Sequence, residues 1–217
     1  GGVGGRLEVI KCDFSDGASL RSAVKGCDAA VWCATGFSDA PGVPFLDKVM
    51  RFLNMAIAPK TTIDSIGVPA LAQAFDSVDS NGLPRVVMLS SAGVTRPSWS
   101  DEKKVAYGGC ADIPIVRLNP FGILDAKAES EERLRKSGTD YCVFRPTGLN
   151  DDWPAGSRPV FSQGDVAVGR INRRDAATIL VDCLGAPEAT GKTFEAFAIA
   201  GYPPAQTIGP ALVRLNR

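Results

Sequence analysis

Histidine is absent from the 217 residues. With it go the usual proton shuttle near neutral pH, the Ser-His and Cys-His nucleophile pairs and the commonest zinc ligand. The six cysteines (Cys12, Cys27, Cys33, Cys110, Cys142, Cys183) form no C-x-x-C pair, so no metal site is expected. Four or five of them lie in apolar runs, which predicts buried free thiols in a reducing compartment. No apolar stretch approaches the roughly 20 residues needed to cross a bilayer, which predicts a soluble domain without a transmembrane segment of its own. Charge of either sign is not in excess, with 24 basic residues against 24 acidic ones, so no nucleic-acid partner is expected. Neither an initiator methionine nor a targeting segment opens the chain; Gly1, Gly2, Gly4 and Gly5 lead straight into a strand pattern.

The length suits one domain over residues 1–217 with a substantial core. Leu7, Val9 and Ile10 read as a short strand, and Asp16 or Ser15 as the cap of a helix over residues 18–25 that stops at Gly26. The continuous apolar run 29–34 reads as a strand covered on both faces. Residues 37–60 are irregular and proline-rich, with an amphipathic helix predicted over 45–57 that is either a lid or a docking surface. A helix follows over residues 62–78, and Asn81, Gly82 and Pro84 break the chain before a strand over 85–93. The segment 124–136 reads as a largely solvated helix, with Glu129–Arg133, Glu131–Arg135 and Glu132–Lys136 at i,i+4 spacing. A strand over 141–149, a loop over 150–159, a helix over 176–184 and a late strand over 191–200 complete an alternation. That alternation predicts a doubly wound parallel α/β sheet.

Two strand ends attract attention, because ligands in open α/β sheets lie beyond the carboxyl ends of the strands. One delivers Ser90 and Ser91, the other Pro146 and Thr147. Each has a plain structural reading as well: serines satisfy turns, Lys127 fits a solvated helix face, and Arg145, if buried, needs an acid such as Asp175 or Glu195. Arg173 and Arg174 fit surface charge, a partner contact or a 2'-phosphate contact.

Four ordered stretches, about 12–29, 87–93, 127–138 and 143–175 with 191–195, together resemble the atypical, extended-type short-chain dehydrogenase/reductase family, especially its plastid and cyanobacterial NAD(P)-binding members. The resemblance spans roughly residues 6–197 and implies a Rossmann-like fold and NADP or NAD as cofactor. It places Asp13 and Phe14 near the adenine, Ala34, Thr35 and Gly36 along the adenosine ribose, and Ser90 and Ser91 beside the nicotinamide. Pro146 and Thr147 would lie near the carboxamide, and Lys127 on the nicotinamide ribose.

Two departures follow. The N-terminal β-α-β unit with its glycine-rich phosphate turn is missing, and the first glycines do not substitute, since the turn needs a strand before and a helix after. Ile123 stands four residues before Lys127, where hydride-transferring members carry a tyrosine whose phenol protonates the substrate. Tyr107 could replace it only by folding back, which leaves Ser90, Ser91 and Lys127 as candidate catalytic groups. The resulting expectation is a non-catalytic or weakly cofactor-binding accessory subunit or assembly factor of a larger complex, such as a membrane-embedded photosynthetic complex in the chloroplast. The alternatives are an NAD(P)H-dependent oxidoreductase and an NADPH-binding redox sensor.

Overall fold

The computed structural model describes residues 7–14, 16–34, 63–75, 80–119, 122–203 and 207–216. Residues 1–6, Thr35, Gly36 and the predicted helix 45–57 lie outside them. The first described helix, α1 (Gly17–Ala23), starts where Asp16 Oδ1 accepts the Ala18 N–H, satisfying an otherwise orphan donor. Strand β1 (Ala30–Trp32) and helix α2 (Ile63–Ala74) follow, then β2 (Val86–Leu89). A 3-10 turn (Arg96–Ser98) and three short helices, α3 (Asp101–Ala106), α4 (Gly108–Ala111) and α5 (Pro114–Leu118), follow that strand. The charged helix is α6 (Ile123–Lys136), followed by β3 (Tyr141–Pro146), β4 (Gly148–Leu149), β5 (Arg158–Ser162) and β6 (Arg170–Ile171). Helix α7 (Arg173–Leu184), β7 (Lys192–Ile199) and α8 (Gly209–Leu212) close the order.

The main sheet runs β1-β2-β3-β7-β5, parallel except for β5, which pairs antiparallel with β7 at the edge; β4 and β6 form a small parallel ladder. The fold is thus α/β and Rossmann-like, with helices on both faces of a mostly parallel sheet. Side chains alternate across a strand, so each strand feeds both cores. Val86, Met88 and Val143 pack with Val68, Leu71 and Leu134 of α2 and α6, whereas Val87, Cys142 and Phe144 pack with Ile179, Leu180 and Cys183 of α7. Gly67 is obligatory in the first layer, because a Cβ there would overlap the Trp32 ring.

Several expectations are corrected. Residues 7–10 form no strand: Leu7 and Val9 stand 89% and 90% exposed, because β-prone side chains do not hold an extended ladder without a neighbouring strand. All six cysteines are free, but Cys27 and Cys33 are exposed and only Cys110, Cys142 and Cys183 are buried. Helix α6 is not simply a solvated face. Its three i,i+4 ion pairs form at 2.5, 2.7 and 3.1 Å, yet Lys127, Ser130 and Glu131 are buried, since α6 packs lengthwise on α2.

Candidate functional site

Hydrogen bonds beyond the strand ends build the site. The Ser90 N–H donates to Phe144 O (2.8 Å), the Ala92 N–H to Pro146 O (3.0 Å) and the Thr147 N–H to Ala196 O (2.9 Å), fixing three loops side by side. A cavity of about 710 Å³ opens there, lined by Ser90, Ser91, Pro146 and Thr147 together with Ile113, Pro114 and Ile115 of the α5 segment. Leu149, Val168 and Arg170 complete its outer wall.

The floor is held by buried charge. Ser90 Oγ donates to Glu131 Oε1 at 2.5 Å, while Arg145 Nε donates to the same oxygen at 2.9 Å and Arg145 Nη2 to Oε2 at 2.5 Å. Arg135 Nη2 adds a fourth donor at 2.7 Å. A carboxylate with four donors is well compensated for its burial. Burial, the largest single influence, would lower the Arg145 pKa, but the Glu131 hydrogen bonds and the charges of Glu131, Asp165 and Glu195 together outweigh it and leave the guanidinium above its ordinary value. Because the Ser90 proton points inward to Glu131, its oxygen offers lone pairs, not a proton, to a ligand.

One wall is anchored by Asp165, whose carboxylate accepts the Gly93 N–H (2.6 Å), the Thr95 N–H (2.8 Å) and the Thr95 hydroxyl (2.8 Å). Arg96 is fully buried, and its three donors go to the carbonyls of Asp165, Cys110 and Ala167. Behind the floor sits Glu195, fully buried; among the described residues neither oxygen has a hydrogen bond of normal geometry, and Arg145 Nη1 stands at 3.8 Å. Burial, aided by the Asp165 charge and opposed by Arg145, pushes its carboxyl from 4.5 up to about 7.

The sequence candidates separate into two groups. Ser90, Ser91, Pro146 and Thr147 meet in the cavity. Lys127 does not line it: its Nζ lies 3.6 Å from Asp64 Oδ2, and Asp64 Oδ1 accepts the Trp32 indole N–H at 2.7 Å. Lys127 still faces the carboxyl end of β1, since burial raises the Cys33 thiol pKa and the Lys127 charge pulls it partly back. Phe14 packs edge-on against Trp32 at 5.2 Å, which brings Asp13, Phe14 and Ala34 to the same end of β1 as Lys127. Tyr107 does not fold back; it stacks edge-on with Trp99 and lines no part of the cavity. Arg145 takes Glu131 as its principal partner, whereas Asp175 caps the Gly156 and Ser157 N–H groups. Arg173 pairs with Asp151 at 2.8 Å.

Sequence reasoning missed Glu131, the α5 wall and Arg170. Glu131 had a signal, since it lies one helical turn after Lys127 on the same face. The others had none, because nothing local to residues 113–115 or 170 tells which strand end they will meet.

The Thr147 hydroxyl is buried at the cavity wall and has no hydrogen-bond partner among the described residues. An orphan hydroxyl of this kind calls for a ligand group or a water. Together with the acceptor Ser90 and the exposed flank of Ala34 and Phe14, it fits the amide end of a nicotinamide dinucleotide laid along the carboxyl edge of the sheet.

Comparison with known proteins agrees. An uncharacterised chloroplastic protein of Arabidopsis thaliana is 29% identical over 199 residues, covering 91% of this chain and 62% of the relative, so the chain spans less than two-thirds of that protein. The oxidoreductase ylbE of Lactococcus lactis shares the fold with a TM-score of 0.61 at 17% identity, over 96% of this chain and 77% of that one. A short-chain dehydrogenase/reductase of Veillonella parvula solved with NADP superposes with a TM-score of 0.52 at 16% identity, over 91% and 75% of the two chains. The profile of the NAD(P)H-binding family matches residues 3–187, and with a cleft of this form at the strand ends, the chain belongs to that NAD(P)H-binding family.

Proposed function

We propose that the protein is an NAD(P)H-dependent oxidoreductase of the atypical short-chain dehydrogenase/reductase type, working in the plastid as its chloroplastic relative does by name. The observation that carries this reading is the unpartnered Thr147 hydroxyl in the wall of a large, mostly apolar cavity whose floor is already rigid. A scaffold kept only for docking has no need of such a group. The accessory-subunit reading rested on the segment 45–57, outside the described residues, on the tyrosine replaced by Ile123 and on the missing phosphate turn. An open cavity answers the second point, because a reduction can draw its balancing proton from water.

The nicotinamide supplies hydride when bound. The chain's residues do the rest: Pro146 and Thr147 receive the carboxamide, and Ser90 accepts a hydrogen bond, held in that orientation by Glu131. Lys127 and Asp64 form a buried pair beside the ribose position, with the ammonium shared between them. Apolar walls lower the local dielectric beside the reacting face and so strengthen every polar contact within it.

Nicotinamide fluorescence during titration of the full-length protein with NADPH tests this. Saturable enhancement is expected, and Thr147→Val should weaken binding about fivefold, since one hydrogen bond is worth about 1 kcal/mol and 1.4 kcal/mol is tenfold. A flat titration to millimolar NADPH removes the proposal.

A further inference from the structure

The cavity also carries information about what is reduced there. Its lining is apolar at Ile113, Ile115, Leu149 and Val168, and among the described residues no carboxylate contributes to it. Two arginines do. Arg96 is consumed by three backbone carbonyls and is closed to any ligand. Arg170 is different: it is exposed at the rim, and among the described residues its side chain makes no hydrogen bond or ion pair.

Its position is set by the small β4–β6 ladder, in which Gly148 pairs with Arg170. The guanidinium lies over Gly148, so close that a Cβ on that glycine would come within 2.6 Å of Nη1. A free cation is therefore laid against the backbone of the same loop that bears Thr147. A guanidinium is a planar fork of donors matched to a carboxylate, and beside apolar walls its attraction for an anion is less screened than in open water.

We infer that the substrate is an amphipathic acid, with an apolar, ring-sized body between the α5 segment and Leu149–Val168 and a carboxylate on Arg170. This inference rests on the oxidoreductase reading only for the name substrate; the binding site itself stands on Arg170 and the apolar walls. Ser90 then selects further, because its outward lone pairs favour a body that brings an N–H or O–H to the floor.

The test uses a matched pair of probes that differ in charge and not in shape, 1-pyrenebutyrate and its amide, titrated by fluorescence with and without NADPH. Wild type should prefer the acid by about tenfold, the effect of a charge-assisted hydrogen bond worth about 1.5 kcal/mol. Arg170→Gln, an exposed side chain without protein partners, should bring the two probes within about twofold. Gly148→Ala, which keeps the charge but displaces the guanidinium, should also reduce the preference. Equal binding of acid and amide by wild type, no binding of either, or a preference that survives Arg170→Gln each overturns the inference. If the acid preference depends on Arg170 but NADPH does not bind, the oxidoreductase reading fails and the acid site stands. If NADPH binds and the preference is missing, the reverse holds.

Discussion

Two carboxylates of one helical layer, Asp64 on α2 and Glu131 on α6, hold the two flanks of the strand ends in different ways. Asp64 meets one ammonium at 3.6 Å and one indole N–H, on a flank built otherwise from aromatic packing of Phe14 and Trp32. Glu131 takes four donors from a serine and two arginines, and the loops beyond it are tied again by Asp165 and Arg96. The cavity flank is thus rigid before any ligand arrives. The nucleotide flank leaves an ammonium loosely paired and Cys33 and Phe14 toward solvent, as suits a surface completed by a cofactor. Preorganisation is concentrated where orientation of the reacting groups matters.

The comparison can be broken at its strongest point. Glu131→Ala strands Arg145 in the interior and should cost about 3–5 kcal/mol, read as a lowered denaturation midpoint. A loss below about 1 kcal/mol would mean that the floor is not the rigid element described.

A gain is expected from Glu195. Its folded pKa of about 7 lies above the ordinary 4.5, so its contribution is fully present below 4.5 and is lost as pH rises through 7. Glu195→Gln should therefore match wild type near pH 4 and be more stable by about 3 kcal/mol at pH 8. Thermal unfolding across that range reads the crossover, and a constant difference at all pH values would refute it.

The nucleotide flank should respond least. Gly67→Ala forces the Trp32 ring off its bed and should cost about 1–3 kcal/mol, the usual range for an overpacked core. If it cost more than Glu131→Ala, the order of rigidity proposed for the two flanks would be inverted.

The layered fold was legible because its signals are local. Apolar runs at residues 85–93 and 141–149 supply strands buried on both faces, the run at 29–34 supplies a strand that is only partly buried among the described residues, and the caps and glycines around α1 and α7 mark ends within a few residues. Asp16 and Gly26 do what their types predict, and Gly26 carries φ of +81°. The strand expected at residues 7–10 failed for the opposite reason, since a strand needs a neighbour that no local pattern supplies. Half of the site was equally readable: serines and a Pro-Thr pair at strand ends land in the cavity.

What the sequence by itself determined is the alternation of buried strands and amphipathic helices, the absence of histidine chemistry and the loss of a phenol at position 123. Tertiary structure alone decided which charges matter. Glu131 and Glu129 look alike in a run of charged residues, as do Arg170 and Arg173. One glutamate becomes the keystone of a buried network and one arginine a free cation at a cavity rim. The physical reason is that a side chain's burial and partners are set by residues far away in the chain, whereas its helical or strand period is set by its immediate neighbours.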